Sequence, residues 1–97
     1  MRIIAKKRLR EFYECYKDAE QSLLSWYREV EKEDWDTPAE VKEKYRSASI
    51  LGDNRVVFNI KGNKYRLVVK INYKYRVVYI RFVGTHAQYD RIDAEEV

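Results

Sequence analysis

The order of apolar and polar positions divides the chain into a helical half and a stranded half. From Lys6 the residues Leu9, Phe12, Tyr13 and Tyr16 recur at i, i+3, i+4 and i+7, which lines them along one side of a helix. The period returns at Leu23, Trp26, Tyr27 and Val30, with Arg28, Glu29, Glu31 and Lys32 outside, and Asp18 with Gln21 three residues on marks a capping box that opens this second helix. Thr37-Pro38-Ala39-Glu40 repeats the start signal and predicts a short third helix to about Tyr45. Arg2 to Ala5 is a brief apolar run that fits an edge strand of a later sheet, and residues 46–54 read as a loop closed by Gly52, Asp53 and Asn54.

Beyond Asn54 the period falls to two. Strands are predicted over Arg55–Ile60, Tyr65–Asn72 and Arg76–Val83, the last ended by Gly84. Lys61-Gly62-Asn63-Lys64 joins the first two, with Gly-Asn supplying the positive φ of a tight hairpin, while the second turn, around Asn72 to Tyr75, lacks glycine and should be looser. Alternation puts Val56, Phe58, Ile60, Tyr65, Leu67, Val69, Ile71, Val78, Ile80 and Phe82 on a core face. Arg55, Val57, Asn59, Arg66, Val68, Lys70, Val77, Tyr79, Arg81 and Val83 fall on the other. The pattern predicts one α+β domain over residues 1–97, with N-terminal helices packed on one face of a small, mainly antiparallel β-sheet.

Charge sharpens this picture. Residues 54–89 hold eight Lys or Arg and no Asp or Glu, and the whole formal charge of +4 lies in residues 51–97. A sheet face carrying arginine, lysine, tyrosine and amide suits a polyanion whose bases can stack, and the pI near 9.2 agrees. At 45% hydrophobic and 14% aromatic, the composition is that of a folded chain. One cysteine, Cys15, excludes an intrachain disulfide, and no apolar run is long enough to cross a bilayer. A cytoplasmic protein, without membrane contact, is the expectation.

The only histidine, His86, follows the last strand in Gly84-Thr85-His86-Ala87-Gln88-Tyr89-Asp90. It falls at the rim of the basic face, with Tyr89 on the same side of any helical turn. RNA is cut without a metal when one group takes the 2′-hydroxyl proton, cations hold the pentavalent phosphate and another group protonates the leaving 5′-oxygen. Histidine, Arg or Lys, and tyrosine fill these roles. One His and one Cys offer no metal-ligand set, so neither metal nor other cofactor is expected.

The segment VVFNIKGNKYRLVVKINY, followed by VYIRFVGTHAQYD, resembles the HigB family of bacterial toxins within the wider RelE group. The layout of helices, hairpin sheet and Thr-His-x-x-Tyr-Asp ending extends the likeness over nearly the whole chain. The resemblance implies a RelE-like fold and a ribosome-dependent endoribonuclease, or mRNA interferase, that cuts messenger RNA in the decoding site. It also implies neutralisation by a HigA-like helix-turn-helix antitoxin, with DNA touched only through the antitoxin complex. Carried over, Arg66 grips the scissile phosphate, His86 is base or acid beside the cut bond, Tyr89 stacks or orients, and Lys61 completes the catalytic group. Asn59, Lys64, Lys70, Tyr79 and Arg81 are the RNA-binding candidates. Phe58-Asn59-Ile60-Lys61 stands where the RelE pattern has closely spaced lysines.

Two blander readings compete. The basic face could bind RNA without chemistry, or the helical half, with exposed edges of Trp26 and Trp35, could be the working surface. Asp90 is expected to cap or to pair with Arg81 or Arg91, Cys15 to be an ordinary helix residue, and Lys74 and Arg76 to serve solvation as readily as RNA.

Overall fold

The computed structural model describes all 97 residues. In order, the elements are β1 (Arg2–Ile4), α1 (Lys6–Cys15), a 3₁₀ turn (Lys17–Ala19), α2 (Glu20–Glu31), α3 (Pro38–Lys44), β2 (Ser49–Ile50), β3 (Arg55–Ile60), β4 (Tyr65–Asn72), β5 (Val77–Thr85) and the single-turn α4 (His86–Tyr89). The strands form one sheet in the order β1-β5-β4-β3-β2. Only β1 with β5 is parallel, so the expected α+β architecture is the observed one.

The helices cover one face. Leu9 and Phe12 of α1, Leu23, Trp26 and Val30 of α2, and Val41 of α3 bury against Val56, Phe58, Leu67, Val69, Ile71, Val78 and Ile80. Each such side chain contributes on the order of 1.5–3 kcal/mol by leaving water. Trp26 and Trp35 are each only 3% exposed, which removes the tryptophan edges that a helical working surface would need.

Several local expectations are corrected. Asp18 does not cap α2: the N-cap is Ala19, without a side-chain bond, because the chain enters the helix through the 3₁₀ turn. Residues 46–54 contain the two-residue strand β2 on the edge of β3. In the first hairpin the positive φ falls on Lys61 and Gly62 rather than Asn63. In the second, Arg76 takes φ 59° and β5 begins only at Val77. Its guanidinium is latched onto Asp34, Asp36 and the carbonyls of Trp35 and Tyr73, so Arg76 holds that turn to the helical half.

The largest correction is in β5. Val68 pairs with Phe82 and Val69 with Ile80, leaving Arg81 as the extra residue of a β-bulge. Every position after it changes face. Val83, expected outside, packs against the core, whereas Phe82 stays out of it. Gly84 lies inside β5 rather than ending it.

The second face is also less open than its sequence suggests. Val57 and Val68 are buried there, outside the main core, and Arg55 is only 7% exposed. Beyond α4 the chain turns back over this face, and the Val97 carbonyl accepts from Arg55 Nη1 and from Arg81 Nε.

Candidate functional site

The site forms where the end of β5 meets the β3–β4 hairpin and the 3₁₀ turn. Tyr65 begins β4 with its ring in the core, edge-on to Phe12 at 5.3 Å and to Tyr16 at 5.9 Å. That packing brings its hydroxyl to Asp18, to which it donates. Lys64 donates to the same carboxylate, and Lys61 does so at 3.4 Å. Three donors on one oxyanion hold Asp18 ionised well below the usual carboxylate range; the Lys64 bond is the largest cause, then the Tyr65 bond. Asp18 in turn raises the pKa of Lys64, so this lysine is a cation throughout the physiological range. The Tyr65 hydroxyl is likewise shifted up, chiefly by its bond to Asp18.

His86 opens α4, which is too short to stand alone and depends on its cap. Thr85 Oγ1 accepts from Gln88 N at 3.1 Å while Gln88 Oε1 accepts from Thr85 N at 2.9 Å, a complete capping box. The His86 amide also donates to the Lys64 carbonyl at 3.2 Å, tying α4 to the hairpin. The imidazole, half exposed, has Nδ1 at 3.1 Å from Asp90 Oδ2. A carboxylate there fixes the tautomer that leaves Nε2 as the basic nitrogen. His86, Lys64, Asp18, Tyr65 and Cys15 line one open cavity of about 550 Å³.

Sequence-derived candidates divide around this centre. His86 and Lys64 share the cavity, and Lys61 joins them through Asp18. Arg66 and Tyr89 form a separate pair: the guanidinium carbon lies 5.8 Å from the Tyr89 ring centre, and Arg66 Nη1 donates to the Asn63 carbonyl at 3.1 Å. Phe82 packs beside Tyr89 at 6.5 Å. Asn59 donates to the Ser47 carbonyl and borders a different cavity, of about 310 Å³, with Lys61, Trp26 and Tyr45. Lys70 pairs with Asp53 at 3.0 Å and neighbours the exposed Tyr79 in the β4–β5 register, four residues or about 13 Å along the strand from Arg66. Arg81 bonds Val97.

Sequence reading missed two acids. Asp90 does cap α4, but its side-chain partner is His86, not Arg81 or Arg91. Its spacing of four from His86 was the available signal. For Asp18 there was none, since its partners lie 43 to 47 residues away. Cys15, expected as an ordinary helix residue, ends α1 exposed and forms part of the cavity wall.

The chain is similar to known proteins along most of its length. Residues 19–92 match the family model described as HigB_toxin, RelE-like toxic component of a toxin-antitoxin system. Among similar proteins is mRNA interferase HigB of Escherichia coli O6:H1, 26% identical over 94 residues that cover 95% of this chain and 91% of that one. Another is mRNA interferase toxin HigB of Escherichia coli K12, 29% identical over 92 residues, 93% and 88% of the two chains. With the family model spanning most of its length, including the hairpin, β5 and α4, the chain belongs to the HigB family of RelE-like toxins of toxin-antitoxin systems.

Proposed function

We propose that this protein is an mRNA interferase that cleaves messenger RNA on the ribosome, in the cytoplasm, without a metal ion, and is neutralised by a HigA-like helix-turn-helix antitoxin. The relatives named mRNA interferase support the activity. The observation that carries the reading is the meeting of His86, backed by Asp90, with Lys64 at one open cavity to which Asp18 ties Lys61, and of Arg66 with Tyr89, which rides on the same helical turn as His86.

In this scheme His86 Nε2 takes the 2′-hydroxyl proton, and Asp90 stabilises the imidazolium that forms. The 2′-oxygen attacks phosphorus and the bond from phosphorus to the 5′-oxygen breaks. Lys64, kept charged by Asp18, and Arg66 offset the charge of the pentavalent phosphate. Lys61, more loosely held at 3.4 Å from Asp18, protonates the leaving oxygen. Tyr89, braced against Arg66, stacks on a base. The products are a 2′,3′-cyclic phosphate and a 5′-hydroxyl, and solvent restores both proton carriers.

The test is controlled expression of wild type, His86→Ala and Arg66→Ala at matched solubility, with growth and 5′-end mapping of cellular messages. Arrest with in-frame cuts absent from both variants, relieved by the adjacent antitoxin, is expected. Normal growth with intact messages from soluble wild type would sink the proposal. Cuts that leave 5′-phosphate ends would overturn the metal-free chemistry alone.

A further inference from the structure

Away from the histidine cavity, a buried arginine lacks a full set of partners. Arg55, 7% exposed at the start of β3, donates through Nη1 to the Val97 carbonyl, and its Nε has no hydrogen-bond acceptor. The nearest carboxylate oxygen, Asp53 Oδ2, lies 4.0 Å from that Nε and is already engaged by Lys70 at 3.0 Å. Arg81, displaced by the bulge, donates its Nε to the same Val97 carbonyl at 3.2 Å. Two guanidinium groups therefore converge on one main-chain oxygen, and the buried Arg55 Nε is left with no acceptor. A buried cation in that state is poised for an anion.

The segment that occupies the pair is lightly attached. Residues 93–97 fold as a turn on themselves: Asp93 Oδ1 accepts from Glu95 N, and the Asp93 carbonyl accepts from Glu96 N and Val97 N. Its hydrogen bonds to the sheet are the two at the Val97 carbonyl. It carries Asp93, Glu95 and Glu96, all three exposed to solvent.

We propose that Arg55 and Arg81 form a second phosphate-binding site for RNA, covered in the free protein by residues 93–97 as a displaceable acidic strap. This rests on the RNA-cleaving reading. Arg55, Lys70 and Arg81 share the sheet face with Arg66 and Tyr89, so a strand gripped at Arg66 runs toward the strap. A phosphodiester has acceptors enough for both guanidinium groups and for the Arg55 Nε that Val97 leaves unfilled. RNA lifts the strap, and the strap weakens RNA binding until then.

The experiment compares the full chain with a chain ending at Ile92, each binding a 2′-O-methyl RNA oligonucleotide that cannot be cleaved, across a salt series. The shortened chain should bind roughly three- to tenfold tighter near 0.1 M salt. Its slope of log K against log salt should steepen by about 1.4, two extra single-strand phosphate contacts. Adding Arg81→Gln to the shortened chain should reverse most of this gain. If the shortened chain does not fold, full-length Asp93→Ala, which loses the acceptor for the Glu95 amide, replaces it with the same direction expected. Unchanged or weaker binding by a folded variant overturns the strap. Absence of RNA binding by every form would overturn the RNA reading itself, whereas message cutting by wild type with unchanged binding on truncation sinks only the strap.

Discussion

Gly84→Ala isolates the device that seats the histidine. A Cβ at this position would lie 2.5 Å from Phe82 Cζ and 2.8 Å from Gln88 Oε1, far inside the ~3.5–4.0 Å of ordinary carbon contacts. Both must give way. As Gln88 moves, the Thr85 amide loses its acceptor and half the capping box opens. A net hydrogen bond is worth about 1 kcal/mol and an N-cap about as much, so α4 should lose about 1–2 kcal/mol of local stability. A shift of 1.4 kcal/mol is tenfold in a local equilibrium, so message cutting should fall by up to about tenfold. The main core is untouched, and the melting temperature should drop by only a few degrees. Thr85→Val, which removes only the Thr85 Oγ1 acceptor, should give about a fivefold loss by the same route. Hydrogen exchange at the His86 and Gln88 amides reads the seating without depending on catalysis, beside cutting in a translation extract. Wild-type protection in Gly84→Ala would mean that α4 keeps its seat when the Gln88 side chain is pushed aside, and that the box does not govern His86.

Asp18→Asn should release Lys61 and Lys64 and steepen the salt dependence of RNA binding by about 0.7; an unchanged slope would show that Asp18 serves the fold alone. Because the folded-state pKa of Asp18 is depressed, its stabilising contribution is present above the ordinary value of 3.8 and lost as pH falls below it, so this variant should flatten the acid limb of a stability profile. Ala5 sits at φ 78° between β1 and α1, and Ala5→Gly should raise stability by about 0.5–1 kcal/mol in urea titration, relief of the left-handed strain exceeding the entropy cost. Arg76→Lys should lower the melting temperature, since a point charge cannot serve two carboxylates and two carbonyls together; an unchanged transition would show that the turn holds without its latch.

How far the structure could be read from the chain depended on the range of the forces involved. β3 and β4 fall where strict alternation placed them, because burial on one face fixes a strand's register residue by residue. β5 follows the pattern only to Arg81. A run of Ile80, Arg81, Phe82 and Val83 is compatible with either aromatic or valine inside, and the bulge that decides it is a property of pairing with β4. The placement of His86 and Tyr89 on one turn beyond β5, with Arg66 beside Tyr89, was legible through the Thr-His-x-x-Tyr-Asp ending and its neighbouring strand. Asp18 was misread because a good local cap signal lost to two lysines and a tyrosine brought in by the hairpin. The covered arginines were illegible for the same reason, since nothing near Arg55 in sequence announces residue 97.

The pairing of β1 with β5 ties residues 2–4 to residues 77–79 and sets β5 between the first strand and the hairpin. Such long-range closure makes assembly late: the helices and β3–β4 can gather while the chain is being made, but the sheet has no place for β1 until β5 emerges. His86, immediately beyond β5, is seated later still. The histidine site therefore cannot exist until the helices, the hairpin and β5 have all been made, and the order of folding itself delays the moment at which a partner must be ready to restrain it.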